Sequence, residues 1–311
     1  MNRQLSYNLI TILGPTASGK TAVAASLAHA IDAEILSADS RQVYRNMNIG
    51  TGKDLNEYCI EGKNIPYHLI DIVDAGTAYN VFQYQHDFFT AYQNIISRKK
   101  NAVLCGGSGL YIQSVLRAYH LPEVPENKEL RKELEKKSME ELETILRSMQ
   151  AVHNKTDFDT KKRAIRAIEI ATYNKEHPAD KTDFPHIHSL VVGIRYTREQ
   201  ERQRITQRLE KRLKEGMIEE VRSLLNMGLS VEQLLYYGLE YKFITQYLIG
   251  AFCYEEMERR LNTAIHQFAK RQMTWFRKME REGILIHWID GEMPLNKKVE
   301  TIINLIREQS T

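Results

Sequence analysis

The stretch Gly14-Pro15-Thr16-Ala17-Ser18-Gly19-Lys20-Thr21 fills the template G-x-x-x-x-G-K-[ST] at every fixed position. Its flanks match as well. Asn8-Leu9-Ile10-Thr11-Ile12-Leu13 is a short apolar, β-rich run, and Val23, Leu27 and Ile31 mark one face of a helix that follows. A strand that turns through glycine into a helix aims backbone N–H groups and the positive end of the helix at one point, and glycine lets that backbone close on a bulky anion. Lys20 adds a point charge for phosphate oxygens, and the Thr21 hydroxyl is placed for a phosphate oxygen or a bound Mg²⁺. The loop predicts an α/β core and names a ligand class. It leaves the reaction open among an NTPase, a small-molecule kinase and an enzyme with pyrophosphate as leaving group.

At 311 residues the chain suits a core domain plus an inserted or appended unit. With 27% charged and 42% hydrophobic residues, the composition excludes an intrinsically disordered protein. The 43 basic and 40 acidic side chains leave a net charge of only +3, so any affinity for a polyanion must come from local patches. Cys59, Cys105 and Cys253 stand far apart without C-x-x-C spacing, which argues against both a disulfide framework and a zinc site. No apolar run approaches the roughly 20 residues of a membrane span. Residues 1–6 run directly into the first strand without a signal-peptide pattern. A soluble, cytoplasmic, monomeric protein is expected.

Glu34-Ile35-Leu36-Ser37 reads as a second strand that delivers Asp39 at its carboxyl end, where ligands of open parallel sheets sit. The plainer role for Asp39 is a helix cap. Tyr67-His68-Leu69-Ile70-Asp71-Ile72-Val73 reads as a third strand, whose Asp71 is taken as structural rather than catalytic. Residues 82–96 have helical spacing, and their aromatics read as core. Ala102-Val103-Leu104-Cys105 is a buried strand that opens into Gly106-Gly107-Ser108-Gly109, another glycine turn at the ligand edge of the sheet. The composition changes after Tyr119. Residues 128–149 read as a charged, amphipathic helix pair outside the sheet, in a helical insertion spanning 120–185, with the catalytic core in 1–119 and 186–311. Within the insertion, Lys162 and Arg166 stand four apart with Arg163 beside them, a solvated face or a nucleic-acid contact. Leu190-Val191-Val192-Gly193-Ile194 and Leu285-Ile286-His287-Trp288-Ile289 read as the last strands. Between them Arg204, Arg208 and Arg212 fall at i, i+4, i+8 on one helix, and such a row of like charges weakens the helix unless an anion sits against it.

In this order the motifs resemble those of the tRNA dimethylallyltransferases, also called tRNA isopentenyltransferases. The loop at 14–21 is similar to the family's G-P-T-A-S-G-K-T, Asp39-Ser40-Arg41-Gln42-Val43-Tyr44 to D-S-R-Q-V-Y, and Ile49-Gly50-Thr51 to I-G-T. His68-Leu69-Ile70-Asp71 matches H-L-I-D, Arg163-Ala164-Ile165-Arg166-Ala167-Ile168-Glu169 matches R-x-x-R-A-x-E, and Lys270-Arg271-Gln272-Met273-Thr274-Trp275-Phe276-Arg277 matches K-R-Q-x-T-W-F-R. The resemblance covers nearly the whole chain. It implies a P-loop NTPase-like parallel sheet with an inserted helical domain.

The resemblance also implies transfer of a dimethylallyl group from dimethylallyl diphosphate to N6 of the adenine 3′ of the anticodon, in tRNAs that read codons beginning with U. The loop residues Gly14, Pro15, Thr16, Ala17, Ser18, Gly19, Lys20 and Thr21, with Arg208, would bind the diphosphate, Mg²⁺ at Thr21 assisting. Asp39 matches the general base. Ser40, Arg41, Gln42, Ser108, Arg131, Arg163 and Arg166 match positions that contact the tRNA anticodon arm, and Lys162 joins them by its helical face. The chain departs from the pattern in places. Arg212 replaces a usual methionine, His266 an arginine, and Ser108 a threonine; Gly50-Thr51-Gly52-Lys53-Asp54 stands for G-T-A-K-P, and Gly238-Leu239-Glu240-Tyr241-Lys242 is an altered G-Y-K-E-like segment. The rival readings are an adenylate isopentenyltransferase, a phosphate-loop kinase or NTPase, and a tRNA-binding protein without catalysis.

Overall fold

The computed structural model describes residues 7–119, 121, 123–149, 160–177 and 184–308. The chain divides into two compact units, Met1–Tyr119 with Pro185–Thr311, and His120–Phe184.

The larger unit is built on six strands in the order β5-β2-β6-β1-β7-β8, every neighbouring pair parallel. They are β1 (Leu9–Leu13), β2 (Ala33–Ala38), β5 (Tyr67–His68), β6 (Asn101–Gly106), β7 (Ser189–Arg195) and β8 (Ile286–Asp290). A two-residue hairpin, β3 (Cys59–Ile60) with β4 (Lys63–Asn64), stands apart from the sheet. β1 and β2 are buried at every position, as the continuous apolar runs of a sheet covered on both faces require. On one face α1 (Lys20–Ile31) and α12 (Leu295–Glu308) pack Val23, Leu27, Val299 and Ile302 against Ile10, Ile12, Val103 and Val192. α2 (Val81–Ser97) and α3 (Gly109–Leu116) also pack against the sheet, and Tyr84, Phe88, Phe89 and Tyr92 of α2 are buried, as their spacing predicts.

The strand expected at 67–73 stops after two residues. Leu69 and Asp71 adopt left-handed φ values of 66° and 57°, which no strand can continue through. The Asp71 carboxylate is instead spent on the buried ammonium of Lys53, 2.5 Å away.

The smaller unit contains α4 (Lys128–Leu134), α5 (Met139–Met149) and α6 (Lys161–Glu176). Its apolar centre comprises Leu134, Leu142, Leu146, Ala164, Ile165 and Ile168. The larger unit also contains α7 (Arg198–Lys214), α8 (Met217–Asn226), α9 (Val231–Tyr236), α10 (Leu239–Leu248) and the 28-residue α11 (Tyr254–Arg281).

Candidate active site

The chain crosses from one side of β1 to the other, since β6 lies on one flank and β7 on the opposite flank. This switch point is where open α/β sheets leave a crevice, and the phosphate loop rises from β1 directly into it. Ala17 and Gly19 take φ values of 62° and 73°, folding the loop back so that α1 starts without a side-chain cap. Its first N–H groups therefore remain for an anion.

The buried Ser18 hydroxyl of the loop lacks a hydrogen-bond partner among the described residues, and Lys20 stands two residues on, at the first position of α1. Burial pushes the Lys20 pKa down, with Arg208 adding to the effect while Cys105, Asp39 and Glu57 oppose it. A desolvated lysine beside a buried, orphaned hydroxyl is unfavourable in the free protein. An anion supplying lone pairs to both would relieve it.

Around the loop the walls are fixed by long-range hydrogen bonds. Gln272 of α11 accepts from the Thr16 amide at 2.9 Å and donates to the Gly107 carbonyl at 2.9 Å, tying the loops after β1 and β6 together. Arg204 of α7 donates to the Ala17 carbonyl at 3.0 Å, and Arg208 to the Thr16 hydroxyl at 3.2 Å. Sequence reasoning assigned neither Gln272 nor Arg204 to the loop. Gln272 lies within a motif already recognised, and Arg204 within the arginine row.

Asp39 follows β2 at the same edge. Its carboxylate accepts from the Arg41 amide at 2.9 Å in a turn rather than capping a helix, since no helix follows β2 directly, and its charge acts on Lys20, Tyr84, Tyr111 and Glu240. Ser40 and Ser108 are neighbours, the Ser40 amide donating to the Ser108 hydroxyl at 3.0 Å. Gln42 accepts from Ser37 and donates to the Gly52 carbonyl at 2.9 Å. The Arg41 guanidinium lies 5.3 Å from the exposed ring of Tyr236. The structure thus gathers Asp39, Ser40, Arg41, Gln42, Ser108, Arg208 and the phosphate loop at one edge.

Aromatic rings crowd the same region. Tyr84 stacks on Tyr111 with centroids 4.0 Å apart, Tyr44 meets Tyr237 edge-on at 4.6 Å, and the Tyr44 and Tyr84 hydroxyls are buried without partners among the described residues. Burial pushes the Tyr44 phenol up to about 12. Of the two aromatics in the K-R-Q-x-T-W-F-R run, Phe276 is fully buried, while Trp275 is half-buried and its indole donates to Gln113 at 3.0 Å.

Arg131, Lys162, Arg163 and Arg166 lie in the smaller unit. Lys162 and Arg163 are exposed. Arg131 and Arg166 both pair with Glu169, whose side chain is only 2% exposed and which also accepts from the Asn127 amide at 2.6 Å. Burial raises the Glu169 pKa, but the two guanidinium groups and the amide outweigh it and hold the carboxyl below its ordinary value.

Among the described residues no cluster of three His, Cys, Asp or Glu side chains could hold a metal. A metal at the phosphate loop would rest on the Thr21 hydroxyl and on oxygens of its ligand, the mode favoured by Mg²⁺.

With the geometry in hand, the family described as IPP transferase matches residues 42–279. The chain is 57% identical over 304 residues to the tRNA dimethylallyltransferase 1 of Parabacteroides distasonis, covering 98% of this chain and 99% of that protein. It is 56% identical to the tRNA dimethylallyltransferase 2 of Phocaeicola vulgatus, again over 98% and 99%. The crystal structure of the full-length tRNA isopentenylpyrophosphate transferase from Bacillus halodurans aligns with a TM-score of 0.69 at 30% identity, over 97% of each chain. Sequence and fold agree, and the chain belongs to the IPP transferase family, that of the tRNA dimethylallyltransferases.

Proposed function

We propose that this protein transfers a dimethylallyl group from dimethylallyl diphosphate to N6 of the adenine 3′ of the anticodon, in tRNAs that read codons beginning with U. The observation that carries this reading is the phosphate loop, with its orphaned Ser18 hydroxyl and a Lys20 that feels the charge of Asp39, the carboxylate that follows β2 at the same edge of the sheet.

In the reaction the allylic C–O bond breaks, the bond from N6 to the allylic carbon forms, the N6 proton passes to Asp39 and diphosphate leaves. The loop N–H groups, Ser18, Lys20 and Arg208 stabilise the charge that grows on the departing oxygen, electrostatic catalysis at a prearranged anion site. Bound Mg²⁺ would add charge neutralisation at the diphosphate, held by Thr21. An exocyclic amine is a weak nucleophile until its proton has an acceptor, which is the role of Asp39. Ser40, Arg41, Gln42 and Ser108 would hold the flanking nucleotides, and Arg131, Lys162, Arg163 and Arg166 would grip the anticodon arm through phosphates. No helix among the described residues is long and apolar enough to cross a membrane, and a cytoplasmic monomer fits a tRNA substrate.

The test is transfer of label from radiolabelled dimethylallyl diphosphate to unmodified tRNA, run beside AMP and with Mg²⁺. Label is expected in tRNA alone. Label in AMP would transfer the protein to the adenylate branch, and label in neither would refute the proposal.

A further inference from the structure

Three of the residues that depart from the family pattern meet at one point. Arg212 donates from Nη2 to both Asp54 oxygens, at 3.1 and 3.0 Å, and Arg208 donates to Asp54 Oδ2 at 2.8 Å. Gly52 completes the set. A Cβ there would stand 2.6 Å from the Arg208 Nη2 and Arg212 Nη1 atoms, so an alanine would expel the guanidinium groups. The loop that carries Gly52 and Asp54 is itself clamped. Lys53, 1% exposed, donates to the Tyr44 carbonyl at 2.7 Å and to Asn48 at 2.9 Å. Glu220 of α8 accepts the amides of Asn48, Ile49 and Gly50 at 2.7 to 3.0 Å.

Asp54 is thereby a fixed anion, and its left-handed φ of 45° is one that aspartate tolerates and proline cannot adopt. Arg208 is stretched between this anion and the Thr16 hydroxyl of the phosphate loop, so both ends of its guanidinium are anchored. Arg212, 8% exposed, keeps the second face of the same carboxylate occupied. We infer that Asp54 and Arg212 are positioning residues that aim Arg208 at the diphosphate, and that Gly52 is present to make room for them. The inference rests on the reading of Arg208 as a diphosphate ligand.

The experiment compares Asp54→Asn, Arg212→Met, Arg212→Lys and Arg208→Gln, and the double variant Asp54→Asn/Arg208→Gln. KM for dimethylallyl diphosphate, KM for tRNA and kcat are measured for each, alongside titration with inorganic diphosphate and a thermal melt. Asn keeps the shape and the left-handed backbone of Asp54 while removing its charge. Asp54→Asn and Arg212→Met should each raise KM for dimethylallyl diphosphate about tenfold, the scale of a lost charged hydrogen bond, and leave KM for tRNA unchanged. Arg212→Lys should recover part of the loss. The decisive result is in the double variant: because Asp54 acts through Arg208, Asp54→Asn should add nothing once Arg208 is gone. Additive losses, or an Asp54→Asn protein with unaltered diphosphate KM beside a damaged Arg208→Gln, would overturn this inference alone. An Arg208→Gln protein with unaltered diphosphate affinity would overturn the reading of Arg208 as well.

Discussion

Gly106→Ala tests whether the approach of two strands sets the position of the base. Gly106 ends β6, and it is paired in register with Ala38 of β2, the residue before Asp39. A Cβ on Gly106 would stand 2.5 Å from the Ala38 carbonyl carbon and 2.6 Å from its Cβ, and closer still to its oxygen. Ordinary contact begins at 3.4 Å, so the end of β2 must retreat by about 1 Å. The neighbour is backbone, which cannot rotate away as a flexible side chain would. The Ser108 amide also donates to the Ala38 carbonyl at 3.1 Å, so the loop after β6 is tied to the same junction. A misplacement near 1 Å lowers a well-oriented reaction about a hundredfold, equivalent to about 2.7 kcal/mol of barrier. The overpacking itself should cost about 1–3 kcal/mol of stability, leaving a folded protein at moderate temperature. The assay is single-turnover transfer at saturating tRNA and dimethylallyl diphosphate, with inorganic diphosphate titrated separately. The rate should fall about a hundredfold while diphosphate binding is retained, because the clash lies on the β2 side of β6 and the phosphate loop leaves β1. A folded variant that transfers at the wild-type rate would refute the reasoning, and an equal loss of diphosphate affinity would move the damage to the loop.

Asp39→Asn retains the oxygen that accepts from the Arg41 amide. It should lower kcat by about 10²–10⁴ without altering KM for dimethylallyl diphosphate, and a variant that also fails to bind tRNA in a filter assay would point to a structural role instead. Glu169→Gln removes the charge that holds Arg131 and Arg166, which are 27% and 37% exposed. The variant should lose about 2–3 kcal/mol from the smaller unit at pH 7, less than a fully buried pair would cost, as read by denaturant unfolding and hydrogen exchange along α6. Since the folded carboxyl titrates below its ordinary value of about 4.3, its stabilisation is fully present above that pH. It is lost as pH falls through the lower folded value, so the gap between wild type and variant should close only in acid. If Arg131, Lys162, Arg163 and Arg166 each meet a phosphate, tRNA affinity should fall about fiftyfold between 50 and 200 mM salt, and a flat response would remove these residues from the interface.

The parts of the site legible in the sequence are those whose chemistry is local. A phosphate loop is eight consecutive residues with a strand before it and a helix after it, and the end of a parallel strand places Asp39 without any tertiary knowledge. What could not be read is where the counter-charges stand. The row Arg204, Arg208 and Arg212 did demand something electronegative, and the chain itself supplies much of it: the Ala17 carbonyl, the Thr16 hydroxyl and the Asp54 carboxylate, the last 158 residues away from Arg212. Likewise Arg131 and Arg166 read as free cations on separate helices until Glu169, itself an unremarked member of the R-x-x-R-A-x-E run, joined them. Helical spacing reports like charges on one face, because neighbours at i+4 are certain. It cannot report a carboxylate that folding brings from another element.

The same contrast shows how the departures should be weighed. Taken singly, Gly52, Asp54 and Arg212 each look like erosion of a motif: a lost Cβ, a lost proline, and a cation in place of an apolar side chain. In the folded protein each makes the other two necessary. A buried Arg212 needs Asp54, Asp54 needs a left-handed turn that proline forbids, and the guanidinium groups need the space that only glycine leaves. An eroding site accumulates changes that leave charges unpaired, because nothing selects their partners, and an unpaired buried arginine is strongly destabilising. Here the charges are matched and one of them, Arg208, points at the phosphate loop. With Arg208 as a diphosphate ligand, as we infer, the departures are a second way of building the same anion site rather than its erosion.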